Sequence, residues 1–426
     1  MKTRNILKIL CAMVLVLCFL TCMAACNQQE KEPTEAPETE PAATQPGETT
    51  PPKKPTILIP TEPEAEPTIP DYEFSGTGTG YAGDVEKVNQ GQLPENYHTA
   101  AQVFPLLATT GRTVLMDDVI ALDWSNASFT MAGTFDGEVK AKLNFIGGSN
   151  QTSGFMYVIV DEDVESPRII RVDSKTQWYT LGYLEKGEHT IRVIKVNEAQ
   201  MGVIDVLAFE FNGTLKKVEE KDSLKIEFIG DSITCGADMI ESAVDKVTAQ
   251  DGTKSYAALT AEALGAEASF VSASGYRLTY CDDGNTKMVL PGIYTQVSGI
   301  RNYMGAGDNG AWNFAANPTD VVVVNLGTND SVLLTLERGD EITDAAVSFL
   351  KTIRKNNPEA IIVWCYGAML KDGAENIQAA IQQLADPNVY YLDVTQNNDG
   401  LADHPNAAGH EIIAQELTDF LRSKLS

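Results

Sequence analysis

The stretch Leu224-Lys225-Ile226-Glu227-Phe228-Ile229-Gly230-Asp231-Ser232 decides the fold. Apolar and polar residues alternate over 224–228, the period of a strand with one buried face. The strand then runs out into a Gly and a Ser. Open α/β sheets carry their functional groups on loops at the carboxyl ends of the strands, so the stretch predicts a strand that delivers Ser232 to such an edge.

Toward the C-terminus, strand and helix patterns take turns. Residues 255–264 read as a helix, 268–271 as a strand, and 321–325 as a continuous apolar, fully buried strand. A helix follows over about 341–355, a strand at 360–366, a helix at 374–385, a strand at 389–394 and a last helix at 407–424. This alternation predicts an α/β domain over 221–426 with a parallel sheet and helices on both faces.

Toward the N-terminus the pattern changes. Residues 85–220 read as short strands with turn signals and no long helical period. Val139, Ala141, Leu143 and Phe145 alternate with polar neighbours; 155–160, 178–181, 190–196 and 206–211 read as further strands, and 183–188 as a turn. An all-β, jelly-roll-like antiparallel sandwich is expected. Its role is packing support or partial shaping of a cleft, with carbohydrate binding as the alternative. Without the first residues, about 350 remain, too long for one compact core and suited to two domains.

The first residues read differently again. Lys2, Arg4 and Lys8 precede an apolar run at 9–20, too short for a comfortable membrane span and typical of a signal peptide. Met23-Ala24-Ala25-Cys26 is similar to a bacterial lipobox, so residues 1–26 are expected to be a lipoprotein signal that leaves a lipidated Cys26. Residues 27–84 follow as a linker whose first part, 27–70, holds 11 of the 19 prolines. Such a composition buries too little apolar surface to fold, and predicts a semi-extended tether. The expected location is the outer face of a bacterial membrane. A formal charge of −27 argues against nucleic acid as a partner. Beyond the signal region only Cys235, Cys281 and Cys365 remain, too few for a disulfide framework but enough for one bridge. No pattern implies a metal or cofactor.

Loops at the predicted strand ends carry the reactive residues. Ser232 follows the first strand, Ser272-Ala273-Ser274-Gly275 the second, and Leu326-Gly327-Thr328-Asn329-Asp330 the third; Asp403-His404-Pro405-Asn406 precedes the last helix. Acyl transfer needs a nucleophile, a base within reach, and donors aimed at the developing oxyanion. A serine hydroxyl is a poor nucleophile without a neutral imidazole to take its proton. Of the four histidines, His98 and His189 fall in the β domain and His410 inside the last helix. His404, in a loop before a proline, is the candidate base, with His410 as the alternative. The N–H of Ser232, expected near a helix N-terminus, the N–H of Gly275 and the side-chain amide of Asn329 are candidate oxyanion donors.

Gly230-Asp231-Ser232, Gly275, Gly327-Thr328-Asn329-Asp330 and His404-Pro405 together resemble the four sequence blocks of the SGNH hydrolases. With the β domain ahead, and with Phe228 to Gly236 and Val324 to Asp330, the chain is more narrowly similar to carbohydrate esterase family two. The resemblance implies a flavodoxin-like three-layer domain and removal of acetyl groups from polysaccharides such as xylan or glucomannan. It makes Ser232 the nucleophile and His404 the base. Most SGNH hydrolases carry an Asp three residues before the His; that position is Leu401 here, so a Ser–His dyad is implied, with a backbone carbonyl holding the imidazole. The family's aromatic residue just before the His is also absent. Asp231, Tyr276, Trp312 and Tyr366 are the candidate substrate contacts. Two other readings use the same residues: an esterase for other acyl esters (peptidoglycan O-acetyl, lipid or aryl), and a non-catalytic, surface polysaccharide-binding protein.

Overall fold

The computed structural model describes residues 96–147, 151–220, 222–280 and 289–425. The expected signal peptide, Cys26, the linker over 27–84, the start of the β domain and Cys281 lie outside the described residues.

The N-terminal domain is antiparallel throughout. Its strands are β1 (Tyr97–Thr99), β2 (Ala108–Thr110), β3 (Val114–Met116), β4 (Val119–Leu122), β5 (Ser128–Gly147), β6 (Ser153–Val160), β7 (Arg168–Asp173), β8 (Gln177–Lys195) and β9 (Gly202–Lys216). They hydrogen-bond in the order β3-β4-β9-β5-β8-β6-β7, with β1 added to β9 and β2 to β5. Three long strands, β5, β8 and β9, bend round one core that holds Phe129, Phe135, Leu143, Phe145, Val193, Ile204 and Phe209. Register shifts between Phe135 and Gly137 and between Val139 and Lys140 allow the bend. The turn expected over 183–188 is not formed, and β8 runs straight through it. Tyr183 pairs with Glu138 and Glu188 with Thr134 across the bulged part of β5, so the polar run is an exposed stretch of strand. Thr134 and Lys216 both hydrogen-bond the Glu188 carboxylate there, at 2.7 and 2.6 Å.

The C-terminal domain holds five parallel strands: β10 (Lys225–Gly230), β11 (Glu267–Ser272), β12 (Val321–Asn325), β13 (Ile361–Tyr366) and β14 (Val389–Asp393). Their order is β11-β10-β12-β13-β14, the doubly wound arrangement whose switch point lies between the first and third strands. Four main helices cover the sheet: α1 (Tyr256–Leu264), α2 (Gly339–Asn356), α3 (Ala374–Leu384) and α4 (Ala407–Leu425). Alternation along β12 sorts them. Val321 and Val323 pack with Ala257 and Ala261 of α1 and with Ile413 and Leu417 of α4. Val322 and Val324 face Ala346, Phe349 and Leu350 of α2 and Ile377 of α3. In α2 the buried residues Ile342, Ala346, Phe349, Leu350 and Ile353 keep helical spacing. Asp340 and Glu341 in its first turn and Arg354 and Lys355 in its last complement the helix dipole.

The two domains share polar and apolar contacts. Trp124, Ala199 and Val203 of the β domain join the core on the α2–α3 face of the sheet. Arg112 pairs with Glu227 of β10 at 2.9 Å, both side chains buried. Arg301 is buried between Asp123, at 3.0 Å, and Asp205. The Trp124 indole donates to the Val297 carbonyl at 2.7 Å.

Candidate active site

Register brings the reactive loops together. Ser272, Gly230 and Asn325 lie side by side at the carboxyl ends of β11, β10 and β12. The loops that follow them therefore leave the sheet at one edge, beside the switch point. Gly230 is required at the top of β10, because a Cβ there would come within 2.0 Å of Thr234 Oγ1 and 2.8 Å of the Asn325 carbonyl. The chain then turns tightly, with Cys235 N–H donating to the Asp231 carbonyl at 3.2 Å and Ala237 N–H to that of Ser232 at 3.0 Å. No α-helix starts here, contrary to expectation; α1 begins only at Tyr256. The turn needs its own fixings, and the Asp231 carboxylate supplies one by accepting the Ile233 N–H at 3.1 Å.

His404 Nε2 lies 2.8 Å from Ser232 Oγ. Ser232 itself is 7% exposed, so the pair sits at the surface end of an otherwise buried loop. The other ring nitrogen, Nδ1, is 3.2 Å from the carbonyls of both Leu401 and Ala402. A proton on Nδ1 is thereby held by main-chain oxygen, which leaves Nε2 as an acceptor for the serine proton. Ala402 and Asp403 adopt φ of 52° and 61°, two consecutive non-glycine residues in the left-handed region. Such strain persists only where the surroundings impose it. Asn398 Nδ2 holds the Asp403 carbonyl at 2.9 Å, and Leu401 N–H donates to the Asp238 carbonyl at 2.9 Å. The Asp238 carboxylate stands 3.7 Å from His404 Nδ1 and is tied to Lys246 at 2.6 Å.

Asn329 sits next to the nucleophile loop. Its amide donates to the Asp231 carboxylate at 3.2 Å and to the Tyr276 carbonyl at 3.0 Å. Asp330 ties the loop after β12 to the loop after β11 by accepting the N–H groups of Leu278 and Thr279 at 2.9 and 3.0 Å. Burial raises the Asp231 carboxyl to about 7 and that of Asp330 to about 6. Gly275 takes a φ of 76°, a conformation that favours glycine.

Four of the expected substrate contacts are placed otherwise. Asp231 is fully buried and holds the loop and Asn329. Tyr276 and Tyr366 belong to the buried core, and the Tyr366 hydroxyl donates to the Asp372 carbonyl at 2.8 Å. Trp312 stacks near Arg112, its ring 5.2 Å away, and lines a small cleft with Lys225, Glu227 and Glu267. Those residues lie in the amino-terminal parts of β10 and β11, so Trp312 sits at the opposite end of the sheet from Ser232. Trp312 packs at the junction with the β domain and Tyr366 inside the α/β domain, placements that local sequence does not reveal.

The remaining histidines have other partners. His410 is buried and its Nδ1 accepts the Tyr256 N–H at 3.1 Å, while burial and then His404 lower its pKa to about 4. His98 stacks on Phe211, and His189 lies 2.7 Å from Asp161. Cys235 and Cys365 are buried free thiols. Sequence reasoning missed Asp238, Glu198 and Gln200; none stands in a motif, and two of them lie in the other domain.

The parallel five-stranded sheet and the Ser232–His404 contact at its carboxyl edge define a serine hydrolase domain of the SGNH class. Residues 228–412 match the GDSL-like lipase/acylhydrolase family, and residues 109–220 match the carbohydrate esterase 2 N-terminal family. The chain thus carries a GDSL/SGNH lipase/acylhydrolase domain preceded by a carbohydrate esterase 2 N-terminal domain. A cellulase/esterase, CelE, of Acetivibrio thermocellus is 30% identical over 300 residues, 66% of this chain and 35% of CelE. The chain thus spans about a third of that relative's length. A family two carbohydrate esterase from Cellvibrio japonicus superposes with a TM-score of 0.67 at 25% identity, over 77% of this chain and 97% of its own. One from Clostridium thermocellum, solved in complex with cellohexaose, gives 0.64 at 26% identity, over 75% and 99%.

Proposed function

We propose that this chain is a carbohydrate O-acetyl esterase working through a Ser232–His404 dyad. The observation that carries the reading is the 2.8 Å contact between His404 Nε2 and Ser232 Oγ, in a ring whose Nδ1 is held by main-chain carbonyls. Ser232 Oγ attacks the acetyl carbonyl as its proton passes to Nε2. The carbonyl oxygen becomes an anion that takes the N–H groups of Ser232 and Gly275 as donors, and the Asn329 amide joins them by exchanging one of its two acceptors, Asp231 or the Tyr276 carbonyl, for the oxyanion. The bond to the sugar oxygen then breaks, and the imidazolium returns its proton to that oxygen. Water, deprotonated by the same nitrogen, attacks the acetyl-enzyme and releases acetate and free Ser232. No step calls for a metal or cofactor.

A carbohydrate substrate is supported by the CelE relative and by the cellohexaose complex of the Clostridium thermocellum enzyme. Acetyl as the acyl group follows from the resemblance to family two. We further place the enzyme on the outer face of a bacterial membrane, tethered through a lipidated Cys26 and the proline-rich segment, on the sequence pattern alone.

Acetate release from acetylated xylan, acetylated glucomannan and O-acetylated peptidoglycan, together with an aryl ester series of rising acyl length, tests the reading. Release from the plant glycans, with rates that fall beyond acetyl, is expected. Preference for butyryl or longer chains would point to lipid or aryl esters. Glycan retention without acetate release would make the chain a binding protein.

A further inference from the structure

The connection between β8 and β9 of the N-terminal domain reaches across the domain boundary to the loop that carries Gly275. The Glu198 carboxylate, 1% exposed, accepts the Ser274 N–H at 2.6 Å and the Ser274 hydroxyl at 2.8 Å. The Gln200 amide donates to the Ser274 carbonyl. Both peptide groups that flank Ser274 are therefore gripped by the β domain, and the second of them is the one that bears the Gly275 N–H. In a trans peptide the C=O and N–H point in opposite directions. Fixing the Ser274 carbonyl on Gln200 therefore fixes the Gly275 N–H on the side facing away from Gln200.

The grip is itself anchored. Gln250, from the segment that leads into α1, donates to Glu198 at 2.6 Å and accepts the Glu198 N–H at 3.2 Å. Lys195, fully buried, donates to the Asn197 and Glu198 carbonyls at 2.5 and 3.2 Å. Asn197 reaches the Val247 carbonyl at 2.8 Å. A buried carboxylate with this many charge-assisted partners is held in one geometry.

We propose that Glu198 and Gln200 are positioning residues for catalysis: the N-terminal domain orients the Gly275 N–H and so completes the oxyanion site of the neighbouring domain. The proposal rests on the esterase reading above. It gives the β domain a role in the chemistry, since oxyanion donors work only within a few tenths of an ångström of the required position.

The test uses the full chain with Gln200→Met, which keeps the side-chain length and removes the donor, and with Glu198→Gln as the companion variant. Turnover of p-nitrophenyl acetate, inhibition by methylboronic acid, which forms a tetrahedral adduct on serine, and thermal midpoint are measured together. In Gln200→Met, kcat should fall about tenfold at unchanged KM, a smaller loss than the roughly hundredfold or more for deleting a donor outright. Boronate affinity should weaken by a similar factor, and the thermal midpoint should hold. Gln200→Lys, which keeps a donor, should restore most of the turnover. If Glu198→Gln fails to fold, Gln200→Met still decides. Wild-type kcat and boronate affinity in Gln200→Met would overturn the proposal, as would a loss that tracks a lowered midpoint with boronate affinity intact. Ser232→Ala and Asn329→Ala run alongside. Loss in both with full activity in Gln200→Met rejects this proposal alone; activity retained in Ser232→Ala rejects the esterase reading beneath it.

Discussion

Ser232 and His404 stand 172 positions apart in the chain and 2.8 Å apart in the fold. Around them each residue makes a separable prediction. Asn329→Ala removes one donor and should cost about 3 kcal/mol of transition-state stabilisation, read as kcat/KM on an aryl acetate; an unchanged rate would take Asn329 out of the oxyanion site. Asp403 follows the carbonyls that hold His404 Nδ1 but is not itself their partner, so Asp403→Asn should stay within a few-fold of wild type. A thousandfold loss there would mean that the carboxylate orients the imidazole. Asp238 is the nearer charge, 3.7 Å from Nδ1. Ser232, Asn329 and His404 were legible in the sequence because each lies in a loop set by a strand or helix end. So was the missing Asp at Leu401. Asp238 was not, because nothing local shows that the turn after Ser232 folds back under the histidine loop.

At the level of elements, the C-terminal domain was legible because each strand and helix keeps one period from end to end. The run Val321–Asn325 is the clearest case, buried on both faces between helix layers. The β domain was less so. Glu185, Lys186, Gly187 and Glu188 have turn composition, yet they lie within β8: Gly187 and Glu188 pair with Phe135 and Thr134 of β5, and the register shift between Phe135 and Gly137 takes up Glu185 and Lys186. Helix α4 carries a pH-dependent element. His410 in it is buried and neutral, and its pKa near 4 lies below the ordinary value of 6.5. A lowered histidine pKa stabilises the fold above 6.5, and that stability is lost as pH falls from 6.5 through 4, on the order of 3 kcal/mol in all. His410→Asn, whose carbonyl can replace Nδ1 as acceptor for Tyr256, should flatten the pH dependence of unfolding across that interval. An unchanged slope in urea melts would show that His410 does not carry it.

At the scale of the whole molecule, the boundary between the domains is where sequence reading stops. Arg112, Asp123, Trp124, Glu198, Asp205 and Arg301 belong to no motif, and their partners are fixed only when the domains pack. Arg301→Ala leaves Asp123 and Asp205 buried without their counter-charge. Breaking a buried pair in this way costs about 3–5 kcal/mol, which should appear as an earlier denaturant midpoint for the whole chain; an unchanged midpoint would mean that the junction contributes little to stability. The same junction brings Glu198 and Gln200 to the Gly275 loop, so support and chemistry share one surface. The account as a whole turns on whether acyl transfer runs through the pair at the sheet edge. The most direct measurement is the initial rate of acetate release from acetylated xylan by the wild-type chain, Ser232→Ala and His404→Ala, side by side. The wild type should release acetate and both variants should fall to background; near-wild-type release by either variant would contradict the account.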